Sequence, residues 1–139
     1  MESTHQYLSE HGIRPSVQRL AVMHYLRNNR THPTADEIFA ALRKRIPTLS
    51  KTTVYNTLKL FVARGAAIYI GIDEKNARFD GHVEPHAHFR CKKCGKIIDL
   101  DVDIEKFLPE RFNGKIDETY FYLKGLCEEC SFTLSLPRL

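Results

Sequence analysis

The sequence predicts an α+β protein in which helices occupy the first half of the chain and short strands dominate the second. Two observations lead to this prediction. Apolar residues recur at helical spacing between capping residues up to Gly65, and after Gly65 the period shortens to that of strands. The second half also holds two Cys-x-x-Cys pairs, a spacing that binds one tetrahedral zinc ion. We therefore expect an N-terminal winged helix-turn-helix followed by a small, zinc-stapled α/β domain.

The composition is that of one domain, or two small ones, with no membrane segment. Of the 139 residues 42% are hydrophobic, and there is no apolar run long enough to span a bilayer. The opening residues, MESTHQYLSEHG, lack the basic and apolar regions of a secretory signal peptide. We therefore expect a cytoplasmic protein, in which cysteines stay reduced and bind metal rather than form disulfides.

Positive charge is concentrated in the N-terminal part of the chain. Residues 1–80 carry 12 Lys and Arg against 7 Asp and Glu, whereas residues 81–139 carry 9 against 10. A basic part beside a near-neutral part suits a nucleic-acid-binding module joined to a second unit. Taken alone, the excess is equally consistent with ordinary solubility.

Four helices are predicted in the N-terminal part, each between a start signal and a stop signal. Their limits are Ser3 and Gly12, Pro15 and Asn28, Thr34 and Pro47, and Ser50 and Gly65. Thr34 and Glu37 also have the spacing of a capping box.

Two short strands, 66–72 and 76–80, are predicted after the fourth helix. Helices followed by a hairpin indicate a winged helix, with 34–45 and 51–64 as the helix-turn-helix pair. The opening turns of helix 51–64 carry residues suited to base edges and phosphates, namely Lys51, Thr52, Thr53, Tyr55 and Asn56. The alternative is an amphipathic helix that contacts no DNA.

Residues 81–85 are predicted to form a hinge between a first domain at 1–80 and a second at 86–139, because they lack apolar periodicity. In the second domain we expect strands beside the turn at 94–95, a helix at 103–112 and a strand at 115–127. So small a domain needs a structural metal, a partner subunit or both.

The cysteines predict a closed structural zinc site with four thiolate ligands, Cys91, Cys94, Cys127 and Cys130. The 32 residues between the two pairs leave room for a helix and a strand, so the metal joins the start of the domain to its end. A thioredoxin-like redox role is disfavoured, because Gly95 and a strand follow the first pair instead of a helix.

A second set of ligand side chains overlaps the first cysteine pair in sequence. His86 and His88 alternate, so both imidazoles face one side of a strand. Together with His32, Asp80 and Asp99 they suit Fe(II), Mn(II) or Zn(II). Each of the last three also has an ordinary alternative, as a cap, a turn residue or a strand-end carboxylate.

Several longer motifs extend over nearly the whole chain. They are HPTADEIF at 32–39, S-x-x-TVYNTL at 50–58, RFD at 78–80, H-x-H-x-x-C-x-x-C-G-K-I-x-D at 86–99 and C-x-x-C at 127–130. Through them the chain resembles the ferric uptake regulator (Fur) superfamily, and within it the peroxide-responsive repressors of the PerR group. The resemblance implies a homodimeric winged-helix repressor that binds a pseudo-palindromic DNA operator and dimerises through its C-terminal domain.

The resemblance also implies roles for single residues. The four cysteines match structural zinc ligands, and His32, Asp80, His86, His88 and Asp99 match a regulatory site for Fe(II) or Mn(II). Positions 80 and 99 are Asp where iron-sensing members typically carry Glu, which favours peroxide sensing. In that branch bound Fe(II) reacts with hydrogen peroxide and oxidises a ligand histidine, by position His32 or His86. Mn(II) supports DNA binding without this chemistry.

Three other functions stay open at this point. One is a Fur-type repressor that responds to iron or another metal without sensing peroxide. Another is a metal-dependent hydrolase, which we do not expect, because no H-E-x-x-H motif or spare carboxylate pair is present. The third is a metal store or chaperone, which would not need a DNA-reading helix.

Overall fold

The computed structural model of the chain describes residues 3–73, 75–83, 86–116 and 119–135. The chain divides into two compact units, Met1–Val83 and Glu84–Leu139. None of the described helices has the length and apolar character needed to cross a membrane.

Four helices open the first unit, and a side-chain hydroxyl caps each of them. They are α1 (Thr4–Glu10), α2 (Val17–Asn28), α3 (Ala35–Leu42) and α4 (Lys51–Ala63). The caps, each accepting the backbone N–H three residues on, are Ser3, Ser16, Thr34 and Ser50. Thr34 and Glu37 form the predicted capping box.

The helices lie where the sequence predicts, with shifts at their ends. α2 begins after Ser16 and not at Pro15, because the serine hydroxyl makes the cap. α3 ends at Leu42 rather than at residue 45. Gly12 and Gly65 follow α1 and α4 with φ of +70° and +72°, a left-handed conformation that glycine adopts without strain.

An antiparallel hairpin follows α4, as predicted. It consists of β1 (Ile68–Ile70) and β2 (Arg78–Asp80). Thr34 forms an isolated bridge with Arg78, so the start of α3 lies beside β2. Phe79, between the two polar residues of β2, belongs to the apolar core of the unit. Because side chains alternate along a strand, Arg78 and Asp80 face the side opposite to Phe79.

The second unit is built on a three-stranded sheet in the order β4–β3–β5. The strands are β3 (Ala87–Cys91), β4 (Ile97–Leu100) and β5 (Tyr122–Gly125). β3 and β4 are antiparallel and are joined by a turn in which Gly95 has a φ of +77°. β3 and β5 are parallel, so the chain between Leu100 and Tyr122 crosses from one edge of the sheet to the other.

Three details of this unit differ from the prediction. The helix expected at 103–112 is a single 3₁₀ turn, Ile104–Phe107, because Pro109 lacks an N–H and holds the preceding residue extended. The strand expected at 115–127 is confined to Tyr122–Gly125, and residues 117 and 118 lie outside the described part. A further helix, α5 (Glu128–Ser135), is absent from the prediction.

Candidate metal centres and DNA-reading helix

The four cysteines of the second unit come together as one cluster. Their sulfur atoms all lie within 4.8 Å of one another, and Cys94 Sγ is 3.8 Å from Cys127 Sγ. A tetrahedral zinc ion with Zn–S bonds of about 2.3 Å separates its thiolates by roughly 3.8 Å. A disulfide would need about 2.05 Å. The cluster therefore fits a structural zinc ion and does not fit a disulfide pair.

Three elements deliver these sulfur atoms. Cys91 ends β3, and its Sγ accepts a hydrogen bond from the backbone N–H of Cys94, with 3.5 Å between nitrogen and sulfur. Lys92 N–H donates to the carbonyl of Gly125 at 2.7 Å, which holds the end of β3 beside the end of β5. Cys127 follows β5, and Cys130 lies in the first turn of α5. A zinc ion bound here ties two strands and a helix together.

The thiols of the cluster differ in acidity. The backbone N–H groups of Cys94 and Cys127 lower the pKa of Cys91 to about 5, so Cys91 is a thiolate at neutral pH. Hydrogen bonding to the Cys127 sulfur, together with burial, raises the pKa of Cys130 to about 12. Zinc that binds all four cysteines therefore displaces a proton from Cys130.

Two imidazoles and a carboxylate converge at the opposite end of β3. His88 and Asp99 are register partners across β3 and β4, so their side chains share a face, and His86 precedes His88 by two residues. Both imidazole Nε2 atoms lie 3.3 Å from Asp99 Oδ1. The two histidine side chains are only 5% exposed. The structure thus brings three of the five predicted regulatory ligands together within the second unit.

The other two predicted ligands meet within the first unit. His32 Nε2 lies 3.7 Å from Asp80 Oδ2, and both residues are buried. The second carboxylate oxygen of Asp80 accepts the backbone N–H of His82 at 2.8 Å, which orients the carboxylate. His82 was predicted only as part of the hinge, and this bond gives its backbone a supporting role.

The residues predicted to contact DNA lie on the first two turns of α4. Val54 and Thr57 point into the core, whereas Tyr55 is 49% exposed. Lys59 Nζ lies 5.4 Å from the centre of the Tyr55 ring, so a cation and an aromatic face stand together on the outer side of the helix. This side offers hydroxyl, amide, aromatic and basic groups. Their contact with DNA stays a prediction.

Arg78 is the residue whose contacts sequence reasoning missed. Its Nε donates to Asp73 Oδ2 at 3.1 Å, and its Nη1 donates to the carbonyl of His32 at 3.0 Å. Nη1 also lies 3.5 Å from Glu37 Oε1. The bond to His32 joins residues 46 positions apart, so no local sequence pattern signals it.

Residues 10–120 match the model of the ferric uptake regulator family. The chain belongs to this family. It is 35% identical over 128 residues to the peroxide operon regulator of Bacillus subtilis (strain 168), across 89% of this chain and 88% of that protein. Members of the Fur family are transcriptional regulators and not enzymes.

Solved structures of Fur-family proteins share the fold. The ferric uptake regulator from Pseudomonas aeruginosa, solved with manganese, gives a TM-score of 0.74 at 22% identity, over 91% of this chain and 99% of that chain. PerR from Streptococcus pyogenes, whose structure addresses peroxide sensing and gene regulation, gives 0.54 at 29% identity, over 94% of each chain.

Proposed function

We propose that this Fur-family protein is a metal-dependent, DNA-binding transcriptional repressor that senses hydrogen peroxide through metal-catalysed oxidation of a ligand histidine. The observation that carries the proposal is the donor chemistry outside the cysteine cluster. One buried imidazole, that of His32, faces Asp80 in the first unit, and two imidazoles face Asp99 in the second. Both carboxylates are thus aspartates. The similarity to the Bacillus subtilis peroxide operon regulator supports the same function.

Two metals are part of the proposal, and each has its own ligand set. The structural zinc would be held by Cys91, Cys94, Cys127 and Cys130. The regulatory Fe(II) or Mn(II) would be held by His32, Asp80, His86, His88 and Asp99. Imidazole and carboxylate donors suit these two ions, whereas four thiolates select zinc. A divalent cation would also compensate the negative charge of the buried Asp80 and the half-buried Asp99.

Control of DNA binding follows from where the regulatory ligands lie in the chain. His32 and Asp80 belong to the first unit, and the other three belong to the second. One metal bound by all five would fix the two units relative to each other. In a homodimer this would set the spacing of the two α4 helices to successive major grooves, about 34 Å apart. The metal favours the DNA-competent arrangement because it binds that arrangement more tightly.

Peroxide sensing would work by damaging one ligand. Bound Fe(II) supplies the redox chemistry through which hydrogen peroxide is reduced to water while one oxygen atom is added to His32 or His86. The modified imidazole is a changed ligand, so the five-ligand set is incomplete and the DNA-competent arrangement loses its extra stability. Mn(II) would hold the same arrangement without this reaction.

The homodimer would form through the second unit. Among its described residues, eight large apolar side chains are between 38% and 66% exposed in a single chain. They are Phe107, Leu108, Phe112, Ile116, Tyr120, Leu123, Leu126 and Phe132. A surface this apolar suits contact with a second copy, and a two-fold dimer would recognise a pseudo-palindromic operator.

The proposal is tested by mass spectrometry of the Fe(II)-loaded, zinc-containing protein before and after a low dose of hydrogen peroxide. We expect a gain of one oxygen on the peptide that contains His32 or His86. The Mn(II)-loaded protein is the matched control and should stay unmodified. DNA duplexes that bind the Mn(II)-loaded protein can be selected from a random library. The Fe(II)-loaded protein should lose its affinity for these duplexes to the same extent as its histidine is oxidised.

Two other results would contradict the proposal in different ways. Metal-dependent DNA binding without histidine oxidation would assign the protein to the repressors that respond to iron or another metal. Metal binding with no affinity for any selected duplex would favour a metal store or chaperone.

A further inference from the structure

We propose that Arg78 is a positioning residue for the regulatory metal, because its guanidinium holds His32 in a strained backbone conformation that directs the imidazole toward Asp80. The inference rests on the proposed function, since it concerns one ligand of the proposed regulatory site. It assigns a task to a residue that is not itself a ligand.

The backbone of His32 has an unusual conformation. Its φ is +56°, in the left-handed region, which is uncommon for residues other than glycine and which histidine adopts more often than most. Pro33 follows, and a residue before proline is pushed toward extended conformations. His32 is therefore strained for two reasons, and it is only 4% exposed. Strain of this kind persists where the surroundings impose it, and it concentrates at ligand-binding sites.

β2 imposes this conformation through two hydrogen bonds. Arg78 Nη1 donates to the carbonyl of His32 at 3.0 Å, and Phe79 N–H donates to the carbonyl of Pro33 at 3.0 Å. Two successive peptide groups are thereby fixed to one strand. The bond from Phe79 is made by the backbone and survives substitution at residue 78. The guanidinium is the part of this attachment that a mutation can remove.

The guanidinium is itself held in a defined orientation. Arg78 Nε donates to Asp73 Oδ2 at 3.1 Å, and Asp73 Oδ1 accepts the backbone N–H of Lys75 at 3.0 Å. A planar guanidinium has donors in fixed directions, so one anchored nitrogen determines where the others point. A lysine at this position would keep the charge, but all its donors lie on one nitrogen, so it lacks the two fixed nitrogens that reach Asp73 and the His32 carbonyl.

Arg78 contacts the backbone of His32, and Asp80 contacts its imidazole. They lie on the same face of β2, since Phe79 between them points into the core. Arg78 contacts the carbonyl of His32, and Asp80 faces its ring at 3.7 Å. Without the guanidinium the backbone of His32 can relax toward an extended conformation, which moves the imidazole away from Asp80.

The test is a double-mutant cycle on the affinity of the zinc-loaded protein for Mn(II), measured by isothermal titration calorimetry. Arg78→Met should lower this affinity about 10- to 100-fold, as is usual for residues that orient metal ligands. His32→Ala should lower it at least as much. In the His32→Ala background Arg78→Met should have no further effect, because Arg78 acts through His32.

Graded variants and a matched control separate positioning from general stability. Arg78→Lys should recover part of the affinity, and Asp73→Asn should lose less than Arg78→Met. Arg27→Met is the control, because Arg27 lies 4.4 Å from the centre of the Tyr7 ring in the same unit and supports packing. It should lower the melting temperature of the protein without lowering the affinity for Mn(II).

The outcomes distinguish this inference from the proposed function. Equal losses from Arg78→Met in both backgrounds, or a loss matched by Arg27→Met, would overturn the inference and leave the regulatory site standing. A wild-type protein that binds no Mn(II) beside its zinc would overturn both. If Arg78→Met does not fold, Arg78→Lys and Asp73→Asn replace it in the double-mutant cycle. Each should lower the affinity for Mn(II) when His32 is present and leave it unchanged in the His32→Ala background.

Discussion

The two units of the protein are stabilised by different means. The first has a cluster of fifteen buried apolar residues, to which all four helices and the hairpin contribute. In the described part of the second, the buried apolar residues are Ala87, Cys91, Ile104 and Cys127, two of which belong to the cysteine cluster that fits zinc. The first unit is therefore stabilised by apolar burial, whereas in the proposed function the second would depend on a zinc ion and on a second copy that covers its exposed apolar side chains.

Removal of one zinc ligand should have the largest effect, and that effect should be confined to the second unit. Zinc contributes about 10–16 kcal/mol in small domains, as much as the whole stability of a typical fold. We expect Cys127→Ser to lose zinc and to exchange amide hydrogens rapidly throughout residues 86–135. α2 and α4 should stay protected. Ser131→Ala is the matched control and should retain zinc. Slow amide exchange in the zinc-free second unit would show that this unit does not depend on the metal.

Removal of a core side chain should have the reverse pattern. Phe61 is fully buried in the first unit, so Phe61→Ala should lower the free energy of unfolding by about 3–5 kcal/mol. Denaturant titration measures this loss, and metal analysis should still find one zinc per chain. If zinc were lost as well, the two units would not be stabilised independently.

A charge on the exposed apolar surface of the second unit should weaken the dimer. Leu123 lies on β5, at the edge of the sheet, and is 39% exposed in a single chain. Leu123→Asp should raise the dimer dissociation constant about tenfold or more, equivalent to roughly 1.4 kcal/mol, as measured by analytical ultracentrifugation. Val17→Asp, at a residue 73% exposed in the first unit, should leave dimerisation unchanged. Equal effects of the two variants would place the interface elsewhere.

The smallest effect should come from Asp73 and should depend on pH. Burial raises the pKa of Asp73, but the N–H of Lys75 and the Arg78 guanidinium outweigh it, so the net pKa lies below the usual 3.8. The carboxylate therefore stabilises the fold fully above pH 3.8 and loses this effect as the pH falls through the lowered pKa. Asp73→Asn should have a lower melting temperature than the wild type at pH 7, and this difference should disappear as the pH falls below 3.8. Zinc loss in acid affects both proteins equally and cancels in the difference between their melting temperatures. A difference that does not change with pH would refute a stabilising role for the Asp73 carboxylate.

Local signals predicted most of the first unit. Ser3, Thr34 and Ser50 stand directly before apolar runs of helical period, and a cap is encoded by a residue and its neighbours. Ser16 was missed because Pro15 beside it is also a start signal. In the second unit α5 was missed because Cys127 precedes it, and cysteine is not among the residues that signal a helix start.

The same distinction applies to the metal ligands. Residue type and spacing predicted the cysteine cluster, because two Cys-x-x-Cys pairs in one chain are typical of a zinc site. Alternation placed His86 and His88 on one face, where the structure also brings Asp99. The left-handed backbone of His32 and its bond to Arg78 could not be predicted, because they depend on a tertiary contact between distant residues.

In the proposed function, β3 links the zinc site to the regulatory site. Cys91 ends this strand, and the turn that follows it contains Cys94. The turn sets the register that pairs His88 with Asp99, and a slip of one residue would move Asp99 to the opposite face. In the proposed function DNA binding thus requires two metals, and the regulatory metal can bind only after zinc has fixed the register of β3 and β4. A cell starved of zinc would therefore hold no functional repressor, and its operators would be as free as those of a cell exposed to peroxide.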